Sequence, residues 1–180
     1  MTKRGPAIVL IGFMGAGKSS TGIELERIFG LRRFDTDAIV AEKYRLSIPE
    51  IFASLGADGF RAEETTALRN LVPGENIVIV TGGGIILRDE NLALLRQLGT
   101  IVLLEAREEV LFDRIGARTA DRPLLQTSDP RAALQKLLCC RQPLYQSAAD
   151  IRIDTSDRKA DEVAHAILRE VEIFRQRNEV

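Results

Sequence analysis

The 180-residue chain is poor in the residues that build metal centres and disulfides. It has two cysteines, Cys139 and Cys140, and one histidine, His165. Adjacent cysteines are badly placed to bridge each other, and this histidine with these thiols cannot make up a four-ligand zinc site. Two reduced thiols on a helix are expected, which fits a reducing compartment. No apolar run approaches the roughly 18 residues that cross a bilayer. A net charge of −1 gives no global attraction to nucleic acid or to a membrane surface. Lysine is scarce as well: of 25 basic residues five are lysine and twenty arginine. Arginine suits a bidentate grip on phosphate or carboxylate, although an arginine-rich genome would leave the same bias. Lys3-Arg4 and the apolar stretch behind them have the outline of a secretory leader. That stretch runs straight into the most specific motif of the chain, which cleavage there would destroy. A cytoplasmic protein with no membrane and no nucleic-acid partner is therefore expected.

That motif is Gly12-Phe13-Met14-Gly15-Ala16-Gly17-Lys18-Ser19, the G-x-x-x-x-G-K-[ST] pattern of a phosphate-binding loop. Each fixed position has a task. The glycines let backbone N–H groups curl around phosphate oxygens. The lysine reaches the outer phosphates, and the serine hydroxyl can ligate Mg²⁺. Residues 7–11 before it read as a strand. Residues 20–29 after it have apolar residues at helical spacing, which lays the phosphates on a helix N-terminus.

Apolar runs at 7–11, 31–34, 77–81, 100–104 and, more weakly, 151–154 alternate with helical patterns. Continuous Val/Ile/Leu runs suit strands buried on both faces of a parallel sheet. The expectation is a single doubly wound α/β domain over 1–180, with a five-stranded parallel sheet and its site at the carboxyl ends of the strands. Ser47-Ile48-Pro49-Glu50 forms a capping box, Asp129 precedes a first-turn Pro130, and Asp89 and Asp157 are candidate caps. Residues 117–128 break the helical rhythm and carry Arg118 and Arg122, so a mobile lid is expected there.

Phosphoryl transfer asks for positioning and charge neutralisation. Asp35-Thr36-Asp37 ends the second strand. One carboxylate there can hold the metal, and the other can orient an acceptor hydroxyl and take its proton. Equally, Asp37 could simply cap the next helix. Gly82-Gly83-Gly84 exceeds what a turn needs and allows a ligand close to the backbone. No acidic residue ends that third strand, so Asp35 with Ser19 is the expected metal pair. Arg61 could bind an anionic group with Glu64 at i+3 orienting it, or the two could form a surface ion pair. Arg141, beside a proline, reads as a surface residue.

Together, Gly-Phe-Met-Gly-Ala-Gly-Lys-Ser (12–19), Asp-Thr-Asp (35–37), Ser-Ile-x-Glu-Ile-Phe (47–52), Gly-x-x-x-Phe-Arg (56–61), Thr-Gly-Gly-Gly (81–84), Arg-Pro-Leu-Leu (122–125), Arg-x-Pro-Leu-Tyr (141–145) and the Asp-Thr-Ser end (154–156) resemble the shikimate kinase family in content and order. The resemblance implies a nucleoside-monophosphate-kinase-like P-loop fold with a lid at 117–128 and a mobile substrate-binding segment at 38–65. It implies ATP-dependent phosphorylation of the 3-hydroxyl of shikimate with Mg²⁺, in the route to the aromatic amino acids, by a monomer. Gly15, Ala16, Gly17, Lys18, Ser19, Ser20, Arg118, Arg122 and Arg158 would then bind ATP. Asp37, Arg61, Gly82, Gly83, Gly84 and Arg141 would bind shikimate, the two arginines on its carboxylate. Lys18, Asp37 and Arg122 would carry the catalysis, with Ser19 and Asp35 at the metal. The alternatives are another small-molecule kinase on the same scaffold, of gluconate or nucleotide type, and a nucleotide-binding regulator without activity.

Overall fold

The computed structural model describes residues 5–116, 123–125 and 127–178. Five strands, β1 (Ala7–Ile11), β2 (Arg32–Asp35), β3 (Ile77–Val80), β4 (Gly99–Glu105) and β5 (Ile151–Asp154), form one sheet in the order β2-β3-β1-β4-β5. Every pairing is parallel. The apolar runs therefore became strands, within one residue of the expected ends at β2 to β4. All five residues of β1 are buried, as befits a central strand covered by helices on both faces. The chain moves outward from β1 to β2, returns through β3, and then crosses to β4 on the other side. The change of direction opens a crevice at the carboxyl end of β1, where residues 12–17 lie.

The helices are α1 (Lys18–Phe29), α2 (Thr36–Tyr44), α3 (Ile48–Arg69), α4 (Asp89–Leu98), α5 (Glu108–Gly116), α6 (Pro130–Ala148) and α7 (Ala160–Asn178). Among the described residues none is long and apolar enough to cross a membrane. The capping box at Ser47 is formed, and the Asp129 carboxylate accepts from the Ala132 N–H at 3.0 Å. Two expected caps are not caps. Asp89 is the first residue of α4, and Arg88 precedes it as the cap without a side-chain bond. Asp157 lies three residues before α7 and takes a two-pronged ion pair from Arg107, 2.8 Å on each side. An arginine on the neighbouring loop outcompetes the backbone for this carboxylate.

The main core fills both faces of the sheet. A second, small core lies apart from it beneath α2 and α3: Val40, Ile51, Phe60 and Ala67, with Phe52 stacked on Phe60 at 4.5 Å between ring centres. The long helix α3 is broken at Gly56, whose φ of 69° and ψ of 177° belong to a region open essentially to glycine alone. Phe60, Arg61 and Glu64 follow the break, on the second half of α3.

Candidate active site

Residues 12–17 wrap the crevice with Gly12, Gly15 and Gly17 at positive φ. Gly12 is irreplaceable on space as well: a Cβ there would sit 2.2 Å from the Leu104 carbonyl oxygen. Lys18 is nearly buried, and its ammonium donates to the carbonyls of Gly12 at 2.7 Å and Phe13 at 3.0 Å. The cation is thus held inside the loop, where phosphate oxygens would meet it. Ser19 and Ser20, in the first turn of α1, are exposed.

The loop is tied to the far side of the crevice by a residue that no motif marks. Arg114, on α5, donates to the Gly15 carbonyl at 3.3 Å and to the Thr155 hydroxyl and carbonyl at 3.0 and 2.6 Å. The Thr155 hydroxyl in turn reaches the Ala16 carbonyl at 3.1 Å. A cavity of about 510 Å³ opens here, lined by Gly15, Gly17, Lys18, Ser19, Ser20, Asp35, Arg114, Thr155 and Arg158 among others. Ala16 itself is fully buried beneath the loop. Arg118 and Arg122, with most of the expected lid, lie outside the described residues.

On the opposite wall, Asp35 caps α2: one carboxylate oxygen accepts from the N–H groups of Asp37 at 3.0 Å and Ala38 at 3.3 Å. The capping task suggested for Asp37 therefore falls to Asp35, and Asp37 faces the cavity. The second oxygen of Asp35 lies 4.0 Å from Arg33. Ser19 and Asp35 line the same cavity and offer a hydroxyl and a carboxylate. This hard-oxygen set suits Mg²⁺, which takes few protein ligands and completes its shell with water and phosphate. Among the described residues no group of three or more His, Cys, Asp or Glu gathers elsewhere as a metal site.

A second cavity, of about 80 Å³, is lined by Met14, Asp37, Phe52, Phe60, Arg61, Glu64, Gly82, Gly83, Gly84, Leu124 and Arg141. The buried Thr36 hydroxyl accepts from the Gly82 N–H at 3.1 Å, pinning the glycine run to the Asp-Thr-Asp turn. A Cβ on Gly82 would sit 2.3 Å from one Glu64 carboxyl oxygen and 2.4 Å from one of Asp37. Arg141 is 5% exposed, against the sequence expectation of a surface residue. It donates to the Gly83 carbonyl at 3.3 Å, and the Tyr145 hydroxyl donates to the same oxygen at 2.5 Å. Burial pushes the Tyr145 phenol up to about 12, so it stays a donor. Arg61 is partly exposed and pairs with Asp58 at 3.2 Å rather than with Glu64.

Glu64 is only 1% exposed, and neither carboxyl oxygen has a hydrogen-bond partner among the described residues. Burial first, and then the charge of Asp37, push its carboxyl up to about 8; Arg61, Arg141 and Arg88 pull less strongly the other way. The sequence alone places it on the surface or beside Arg61, because i+3 spacing carries no information about burial.

The two cavities share Met14, Asp37 and Gly83. Of the site residues named from the sequence, the described ones other than the buried Ala16 line these two spaces.

The family profile described as shikimate kinase matches residues 14–172. A shikimate kinase of Thermodesulfovibrio yellowstonii is 41% identical over 165 residues, 92% of this chain and 94% of that one. The solved shikimate kinase of Acinetobacter baumannii, in complex with shikimate, superposes with a TM-score of 0.87 at 37% identity over 94% of each chain. A gluconokinase of Sinorhizobium meliloti, at 19% identity and a TM-score of 0.56, covering 97% of this chain and 98% of its own, shares the fold alone.

Proposed function

The chain belongs to the shikimate kinase family, and from that premise we propose how its residues carry the reaction. The enzyme transfers the terminal phosphoryl group of ATP to the 3-hydroxyl of shikimate. The observation that carries the residue assignment is the wall of Met14, Asp37 and Gly83 common to both cavities. A donor on the Lys18 side and an acceptor on the Arg61 side would meet there.

ATP lies along residues 15–20, its phosphates on the N-terminus of α1, with Arg158, Arg114 and Arg118 toward the base. Shikimate lies in the smaller cavity. Its carboxylate meets Arg61 and Arg141, two guanidinium forks matched to one carboxylate. Its hydroxyls meet Asp37 and the backbone of Gly82, Gly83 and Gly84. The acceptor oxygen bonds to the γ-phosphorus as the bond to the β,γ-bridging oxygen breaks and ADP leaves. Asp37 orients the hydroxyl and receives its proton. Lys18 and Arg122 spread the charge of the transferring group. Ser19 and Asp35 would hold Mg²⁺, which would supply further charge neutralisation. Segment 38–65, with its own small core, moves over the acceptor while the lid at 117–128 covers the donor. Closure of both keeps water from the phosphoryl group. All these groups come from one chain, which supports a monomer, and the reading places the enzyme in the cytoplasm.

The test is ADP release in a coupled assay at pH 7 with shikimate, gluconate or nucleoside monophosphates as acceptor. Turnover with shikimate alone is expected. Tight ATP binding without shikimate-dependent ADP release would overturn the reading.

A further inference from the structure

We propose that Glu64 stands in the acceptor cavity as a neutral carboxylic acid, and that its proton keeps the cavity positive enough to hold an anionic acceptor. The proposal rests on the acceptor site assigned above and adds a positioning residue to it.

The geometry starts from Gly82. Its missing side chain is the space into which the carboxyls of Glu64 and Asp37 both point, 2.3 and 2.4 Å from where a Cβ would be. Two carboxylates so placed, out of water, resist being ionised together. The cations facing Glu64 are each turned elsewhere. Arg61 on α3 pairs with Asp58 at 3.2 Å. Arg141 on α6 donates to the Gly83 carbonyl at 3.3 Å. Arg88, at the start of α4, donates to the Asp58 carbonyl at 3.2 Å. Among the described residues, Glu64 also faces Asp37 from α2 and, from α6, the phenol of Tyr145, which holds its proton to about 12. A buried carboxylate with no donor is costly, and a proton on it is the cheaper state. Asp37, whose charge weighs on Glu64, also borders the larger cavity.

The charge count then suits the ligand. With Glu64 neutral, Arg61, Arg88 and Arg141 meet two protein carboxylates, Asp37 and Asp58, and have one positive charge left for the ligand's. With Glu64 ionised, that surplus is gone. An incoming carboxylate therefore favours the protonated form, and where Glu64 is partly ionised, binding must draw a proton from solution. Its carboxyl, pushed up to about 8, places this exchange between pH 7 and 9.

Two measurements test this. The first is calorimetric titration of shikimate into the wild-type enzyme at pH 8, in two buffers of different ionisation heat. Uptake of a substantial fraction of a proton is expected. The second is the pH profile of the shikimate KM. The wild-type value should rise about tenfold from pH 7 to 9, the cost of ionising a required group one unit above its midpoint. In Glu64→Gln, a permanently neutral copy, the profile should be flat and the uptake should vanish. At pH 9 its KM should fall below that of wild type, a gain no loss of packing would produce. Absence of proton uptake by the wild-type enzyme, or a Glu64→Gln profile as steep as wild type, overturns the proposal. Shikimate-dependent turnover at pH 7, measured on the same wild-type sample, separates this failure from failure of the acceptor assignment.

Discussion

At the scale of the residue, the smallest side chains set the site as firmly as the charged ones. Gly82 leaves room for two carboxyls, and a methyl group there would overlap both. Overpacking of this kind costs about 1–3 kcal/mol. Gly82→Ala should therefore lower kcat/KM for shikimate by about tenfold or more, while binding of a fluorescent ATP analogue stays close to wild type. A parallel loss of nucleotide binding would show that the glycine run does not serve the acceptor side alone. Single residues also mark the limits of the sequence. Lys18, Asp37 and Arg61 were legible because their motifs carry them. Arg141 was legible in the same way, but its burial was not, because the contact that encloses it joins α6 to the glycine run 58 positions away. Arg114 left no trace at all, since its partners at Gly15 and Thr155 lie 99 and 41 positions away.

At the scale of the element, local rules worked where nothing competed with them. Ser47 and Glu50 cap α3 as their spacing foretold. Asp157 met a competitor in Arg107 and was lost to its helix. The α2 terminus shows one carboxylate serving structure and, on our reading, the metal. Its two tasks can be separated. Asp35→Asn keeps a side-chain oxygen for the cap but loses the charge; Asp35→Ala loses both. The asparagine variant should melt within a few tenths of a kcal/mol of wild type yet need several-fold more Mg²⁺ for half-maximal rate. The alanine variant should also lose about 1 kcal/mol of stability. Equal Mg²⁺ dependence in wild type and Asp35→Asn would remove Asp35 from the metal site. The break in α3 was not legible as such. The sequence shows Gly56 within a helical stretch, but only the packing of Phe60 and Phe52 fixes which way the second half turns.

At the scale of the whole molecule, the sheet was legible nearly residue for residue, because buried parallel strands are unbroken apolar runs. Its strand order was not, since pairing is decided between segments far apart in the chain. The cost of the acceptor cavity should be visible in global stability. A carboxyl raised from its ordinary 4.5 to about 8 by folding holds its proton in the native state and releases it on unfolding. Its contribution is complete below about 4.5 and is lost as pH rises toward 8. The melting temperature of the ligand-free enzyme should accordingly fall across that range more steeply in wild type than in Glu64→Gln. The carboxylates held low, Asp154 and Asp157 among them, act below pH 4 and do not interfere. Identical slopes for the two proteins would mean that Glu64 is ionised in the folded chain.

The wall shared by the two cavities has a practical consequence for inhibition. Among the described residues, Met14, Asp37 and Gly83 border both the space for a polyphosphate and the space for a ring carboxylate. A compound joining a phosphate mimic to a cyclic acid would need a tether of only a few atoms to reach both. So short a connection keeps the effective concentration of the second half high, and avidity then exceeds the affinity of either half without any new contact. Selectivity over other nucleotide-binding proteins would come from the acidic half, since the loop at residues 12–19 serves phosphate in many folds and the paired arginines do not.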